Sequence, residues 1–165
     1  TPEPDQNSVV NLMRRGYLDA VQVIYNIFEQ EPVAELLPTA QEYNVGVIVR
    51  VAFDEGILTG KYTKETQFPK GDFRRKYFAG DRLLRAVDRV EAIKKEIQGT
   101  DWTMPQLALK YVLKHPAVST VIPGIRNTYQ AEANAAVSDL PDLDENLMLR
   151  LRNHAWRRSF WYGGK

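Results

Sequence analysis

The stretch Val118-Ser119-Thr120-Val121-Ile122-Pro123-Gly124-Ile125-Arg126-Asn127 decides the fold. Its short β-branched run, Thr120-Val121-Ile122, has the composition of a buried strand and runs straight into Pro123-Gly124. A helix follows over about 129–138, carrying Gln130 and Asn134. Strand, turn and helix in that order make one β/α unit. Upstream the same grammar recurs twice. Val47-Ile48-Val49-Arg50-Val51 is a second strand, preceded by a helical stretch over 32–43 with Leu36, Leu37 and Ala40 on one side. Pro38 inside that stretch marks a late start or a kink. Ala20-Val21-Gln22-Val23-Ile24-Tyr25 is a third strand. Its preceding helix shows Val9, Val10, Leu12 and Met13 at helical spacing and stops near Gly16, with Thr1 as cap and Pro2 in the first position.

From 52 to 80 the periodicity fades among glycine, lysine and aromatic residues, which predicts a functional loop holding a short helix. Helices are predicted over 82–97, with Val87, Val90, Ile93 and Ile97 inward, and over 105–114, with Leu107, Ala108, Tyr111 and Val112 inward. A last helix over 144–156 precedes an aperiodic tail, 157–165. The expectation is an α/β fold with about three parallel strands and surrounding helices. It forms an open sheet in one domain spanning 1–165.

Bulk properties exclude several classes. The 165 residues are 44% hydrophobic and 26% charged, which is the composition of a globular protein. A net charge of +1 supplies no field to recruit nucleic acid or a membrane surface. No apolar run approaches the roughly 18 residues of a membrane span, and nothing resembles a signal peptide. The absence of cysteine excludes a disulfide framework and thiolate chemistry and fits a cytoplasmic setting. The opening Thr1-Pro2-Glu3-Pro4, without methionine, suggests an excised or processed piece.

The chemistry concentrates after the strand near 120. A helix that begins just past Gly124 points amide N–H groups at whatever lies there, a geometry that suits phosphate, and Arg126 adds a charge. Gln130 and Asn134, one turn apart, suit the flanks of a flat polar ring. The same residues also fit a plain turn with a surface arginine and two solvated amides.

The run VSTVIPGIRNTYQAEAN (118–134) resembles the 2′-phosphate and adenosine site of the aldo-keto reductases. Val21–Asn26 resembles that family's sixth barrel strand, and Gly46–Lys61, with Gly56-Ile57-Leu58-Thr59-Gly60-Lys61, its seventh strand and the loop over the pyrophosphate. The resemblance implies the carboxy-terminal, cofactor-gripping half of the barrel, a partial (β/α)8 TIM barrel, with NADP (NADPH) as cofactor. It implies that Gln22 meets the nicotinamide amide, Arg126 the 2′-phosphate, and Gln130 and Asn134 the adenine. The backbone around Phe53, Gly56, Leu58 and Gly60, and around Ile122, Pro123 and Gly124, would line the pyrophosphate. Arg50 departs from the pattern. It opens an Arg-Val-Ala-Phe run where the family usually has an aromatic residue that stacks on the nicotinamide, and a guanidinium can stack in its place.

The family's tyrosine acid and its lysine, aspartate and histidine helpers lie in the half upstream of anything here. No catalytic residue and no metal ligand set is therefore expected. His115 reads as a helix-end cap, His154 as a partly exposed surface residue, and Asp54 and Glu55 as a solvated loop pair. Arg74-Arg75-Lys76 among aromatics reads as a mobile, solvated loop, not as a nucleic-acid site. Phe160-Trp161-Tyr162 covers a pocket or a partner, or simply frays. In a full barrel, Val21, Val23, Val47, Val49, Val51 and Val121 would divide between interior and helix ring, and in a half-barrel the inward set has nothing to pack against. An apolar face would then stay open to a homodimer partner or to a missing amino-terminal half. The functions that follow are part of an NADPH-dependent carbonyl reductase, inactive alone; a self-associating binding or structural module; or one half of a two-chain enzyme.

Overall fold

Three parallel strands pair in the order β1-β2-β3: β1 (Ala20–Ile24), β2 (Gly46–Arg50) and β3 (Val118–Val121). A computed structural model of the chain describes residues 6–157. Seven α-helices surround the sheet among these residues: α1 (Gln6–Arg14), α2 (Leu36–Glu42), α3 (Arg74–Tyr77), α4 (Arg82–Glu96), α5 (Met104–Leu113), α6 (Thr128–Ala136) and α7 (Glu145–Arg152). The expected α/β architecture of parallel strands within a helical layer is present. The expected cap at Thr1, Pro2 and the aromatic tail at 160–162 lie outside the described residues.

Local chemistry explains the boundaries. Gly16, at φ 72°, ends the first helical run as expected. Pro38 does not kink α2, because the helix begins at Leu36 and the proline falls in the first turn, where no intrahelical N–H bond is lost. Thr103 and Gln106 form a capping box that starts α5 at Met104, with Thr103 N–H donating to Gln106 Oε1 at 3.0 Å. The last helix stops at Arg152, short of the expected 156. Trp156 N–H leaves it to bond Phe28 O at 2.8 Å, and its ring meets Phe28 edge-on.

The sheet is two-faced. Val21, Val23, Val47 and Val49 all point under the helices, where they join Leu37, Leu107, Tyr111 and Leu151 in the core. Ala20, Gln22, Ile24, Ile48, Arg50 and Thr120 line the other face. This corrects the expectation that the strand valines divide between the two sides and leave an inward set exposed. Period-2 alternation sends these four valines to one side, and the open side mixes isoleucine with amide, guanidinium and hydroxyl groups. A bulge at Ser119 interrupts the β2–β3 ladder, and Ser119 Oγ accepts the Val47 N–H that the ladder leaves over, at 3.0 Å.

Candidate functional site

The carboxyl ends of the strands carry the unusual backbone. Directly after β2, Val51 has φ 58°, a left-handed conformation costly for a β-branched residue. Asn26 holds it there. The fully buried amide donates from Nδ2 to Val51 O at 3.0 Å and accepts the Phe28 and Glu29 N–H groups on Oδ1, both at 2.9 Å. The loops after β1 and β2 are thereby locked together. Asp54 (φ 47°), Glu55 (φ 57°) and Gly56 (φ 93°) continue the left-handed path. The chain folds back so that Phe53 O accepts from Gly56 N at 2.9 Å and Leu58 N at 3.0 Å. The same turn buries Asp54 completely and Glu55 in part, so the expected solvated carboxylate pair is not solvated. Gly60, at φ 73°, is needed on two grounds: its conformation, and a Cβ that would stand 2.9 Å from Met104 Cγ.

Beyond Gly60 the loop builds a cationic cluster. Tyr62, Phe68 and Phe78 pack as an aromatic knot, with Phe68 stacked on Phe78 at 5.5 Å. Arg74 is pinned against it: the guanidinium pairs with both oxygens of Asp72, donates to Tyr62 Oη at 2.7 Å and lies 5.4 Å from the Phe68 ring centre. The Arg74 side chain is only 13% exposed, which corrects the expected mobile, solvated Arg-Arg-Lys run; Arg75 and Lys76 alone face solvent. Hydrogen bonding from Arg74 holds the Asp72 carboxyl down at about 2, and the Arg126 charge adds to the effect. Partial burial, followed by the Arg74 and Arg126 charges, pushes the Lys61 ammonium below its ordinary value. Lys61, Arg74 and Arg126 therefore sit within electrostatic reach of one another, with Asp72 the carboxylate beside them. Arg74 is spoken for by Asp72 and Tyr62. Lys61 and Arg126 form no ion pair among the described residues.

The segment after β3 supplies the opposite wall. Ile122 N–H donates to Val49 O at 2.9 Å, prolonging the ladder as far as Pro123. A Cβ on Gly124 would meet nothing within 4 Å, so the backbone here is open to close approach. Asn127 caps α6 by accepting the Gln130 N–H at 2.9 Å, and Gln130 Oε1 accepts the Arg126 N–H at 2.8 Å. The expectation of free amides at this helix start is thus corrected at Gln130, whose N–H is already taken. Gln130 keeps its Nε2 donor. One turn on, Asn134 Nδ2 is buried and has no partner among the described residues.

These observations fit a dinucleotide: unpaired Lys61 and Arg126, open backbone at Gly124, an orphaned amide donor on Asn134, and Gln22 and Arg50 on the sheet face. Lys61 and Arg74 were missed in the sequence. Lys61 could have been found from its place directly after Gly60, whereas Arg74 is brought in only by the fold of the loop.

The histidines lie elsewhere. His115 Nδ1 accepts the Ala117 N–H at 3.2 Å, and its ring meets Tyr25 edge-on; the cap of α5 is Lys114, so the expected capping role of His115 is corrected to bracing the turn after the helix. His154, partly exposed as expected at 15%, faces Glu96 at 3.3 Å, and it lies two residues past the end of α7, not on the last helix as expected. Two cavities also lie apart from the site. One, of about 250 Å³, is lined by Phe28, Glu31 and Trp156; the other, of about 350 Å³, by Tyr25, Tyr111, His115 and Arg152. The candidate site is an open rim, not an enclosed cavity. Among the described residues no cluster of metal-ligating side chains occurs, and no helix is long and apolar enough to cross a membrane.

Parallel β/α units with cationic side chains beyond the strand carboxyl ends have the form of a segment of a β/α barrel. The family profile described as "Aldo/keto reductase family" matches residues 5–155, and the chain belongs to that family. It is 28% identical over 147 residues to the NADH-specific methylglyoxal reductase of Escherichia coli K12, covering 87% of this chain and 45% of that protein. It is 30% identical over 122 residues to a Schizosaccharomyces pombe aldo-keto reductase whose name carries NADP(+), covering 71% of this chain and 36% of the other. The fold is similar to that of the glycerol dehydrogenase of Gluconobacter oxydans (TM-score 0.73, 22% identity, 85% of this chain, 43% of that one). It is also similar to an apo aldo-keto reductase of Bacillus halodurans (TM-score 0.69, 23% identity, 90% and 47%). The chain spans less than half the length of these relatives.

Proposed function

We propose that the chain is the carboxy-terminal, nucleotide-gripping half of an aldo-keto reductase barrel and that it serves NADPH-dependent carbonyl reduction in the cytoplasm. The observation that carries this reading is that Lys61 and Arg126, cations without an ion pair among the described residues, follow the carboxyl ends of the paired parallel strands β2 and β3, with the open backbone of Gly124 beside Arg126. Relatives differ in the coenzyme their names print, so the preference must come from this chain's own residues. Arg126, exposed and unpaired, supports the 2′-phosphate of NADPH.

In this reading Gln22 holds the carboxamide and Arg50 lies beside the nicotinamide. Backbone around Phe53, Gly56, Leu58, Gly60, Ile122, Pro123 and Gly124 follows the pyrophosphate with Lys61. Gln130 Nε2 and Asn134 Nδ2 donate to the adenine. NADPH, when bound, supplies a hydride to a carbonyl carbon. The carbonyl oxygen then needs a general acid within hydrogen-bond reach. In this reading the acid and its helpers belong to the other half of the barrel, as the family resemblance implies. The isolated chain, mixed with NADPH and a reactive aromatic aldehyde, is expected to show no loss of nicotinamide absorbance beyond a buffer control. Turnover that survives repurification would contradict the reading.

A second reading, a self-pairing half-barrel acting as a binding module, is favoured by one feature: β1 and β3 each leave one strand edge unpaired in the three-stranded sheet.

A further inference from the structure

Arg50 closes β2 on the open face of the sheet. Its register partner is Ile24, while Gln22 pairs with Ile48 two residues earlier, so Gln22 and Arg50 are diagonal neighbours on one surface. The intervening Val49 is fully buried on the other side. Arg50 makes no ion pair among the described residues, although it is half-buried. Its backbone is also unusually well fixed. The next residue, Val51, is held at φ 58° by the bond from the buried Asn26 amide. A strained conformation persists only where its surroundings over-determine it. The backbone that carries the guanidinium is therefore fixed, and no carboxylate among the described residues compensates its charge.

We propose that Arg50 makes the site discriminate between the redox states of its coenzyme, favouring the reduced nicotinamide over the oxidised one. This rests on the nucleotide reading above. The reduced ring is neutral and the oxidised ring carries a positive charge. A planar guanidinium stacks on either form, so stacking alone does not separate them. Charge does. Repulsion between two like charges a few ångströms apart on a partly desolvated surface is felt by the oxidised ring only. The expected consequence is a preference for NADPH over NADP+ on the order of tenfold or more. An aromatic residue at the same place would supply the stack without the bias.

The test is calorimetric titration of the full chain with NADPH and, separately, with NADP+, in wild type, Arg50→Gln and Arg50→Lys. Circular dichroism of each variant verifies its fold. The expected result is a wild-type ratio of about ten or more, a ratio falling toward one in Arg50→Gln, and a ratio largely kept in Arg50→Lys, which retains charge but not the plane. A ratio that Arg50→Gln leaves unchanged, with both nucleotides still bound, overturns the role of Arg50 alone. Failure of the wild type to bind either nucleotide overturns the nucleotide reading, and this inference with it.

Discussion

Arg74 shows how one residue changes meaning when its neighbours are known. In the sequence it is the first of three adjacent cations among aromatics, indistinguishable from a solvated run. In the structure, Asp72, Tyr62 and Phe68 hold its guanidinium from three directions. The pairing is legible as a titration. In the folded chain the Asp72 carboxyl is held down to about 2, below the ordinary carboxylate range, because Arg74 donates hydrogen bonds to it. A depressed folded value means that the unfolded chain takes up the proton first. The stabilisation is therefore fully present above about pH 4 and is lost as the pH falls through about 2. Thermal unfolding of wild type and Asp72→Asn should accordingly differ most at pH 5 and above and converge near pH 2. A difference that stays constant over this range would mean that the carboxylate charge is not what fastens the loop.

At the level of elements, the strands and the amphipathic helices were legible and the long loop was not. Val47–Arg50 and Val21–Ile24 each hold three β-branched residues in four, and the two segments pair in register. The inward positions of α4, Val87, Val90 and Ile93, follow the helical period and are buried as the period requires. The capping box at Thr103 and Gln106 was present in the sequence and fixes the start of α5 one residue before Pro105. The segment from 52 to 80 obeys no period. Its order comes from contacts between residues ten or more apart, such as Tyr62 with Arg74, and from consecutive left-handed residues that bury Asp54. None of this shows as spacing. The site divides in the same way. Gln22 and Arg50 were placed by the family resemblance, and Gln130 and Asn134 by helical spacing as well. Lys61 and Arg74 join them only through the folded loop.

At the scale of the whole molecule, the sheet has one finished side and one open one. The helix side takes four valines of β1 and β2 completely into the core, and the open side presents Gln22, Arg50 and Thr120 beside Ile24 and Ile48. Such a face is less sticky than a sheet of valines, yet β1 and β3 still offer unpaired edges. The second reading accordingly predicts a dimer of this chain in dilute solution. Light scattering after size exclusion decides it, and a monomer at high concentration would remove self-pairing from the account.

The central claim is that this chain grips the adenosine end of NADPH through Arg126, and titration of the wild-type chain with NADPH and NADH measures that grip directly. Losing one charge-assisted contact costs about 1.5–3 kcal/mol, on the order of tenfold or more in affinity. The account predicts NADPH binding tighter than NADH by at least that factor, with the advantage abolished in Arg126→Ala. Equal affinity of the wild type for the two nucleotides would contradict it.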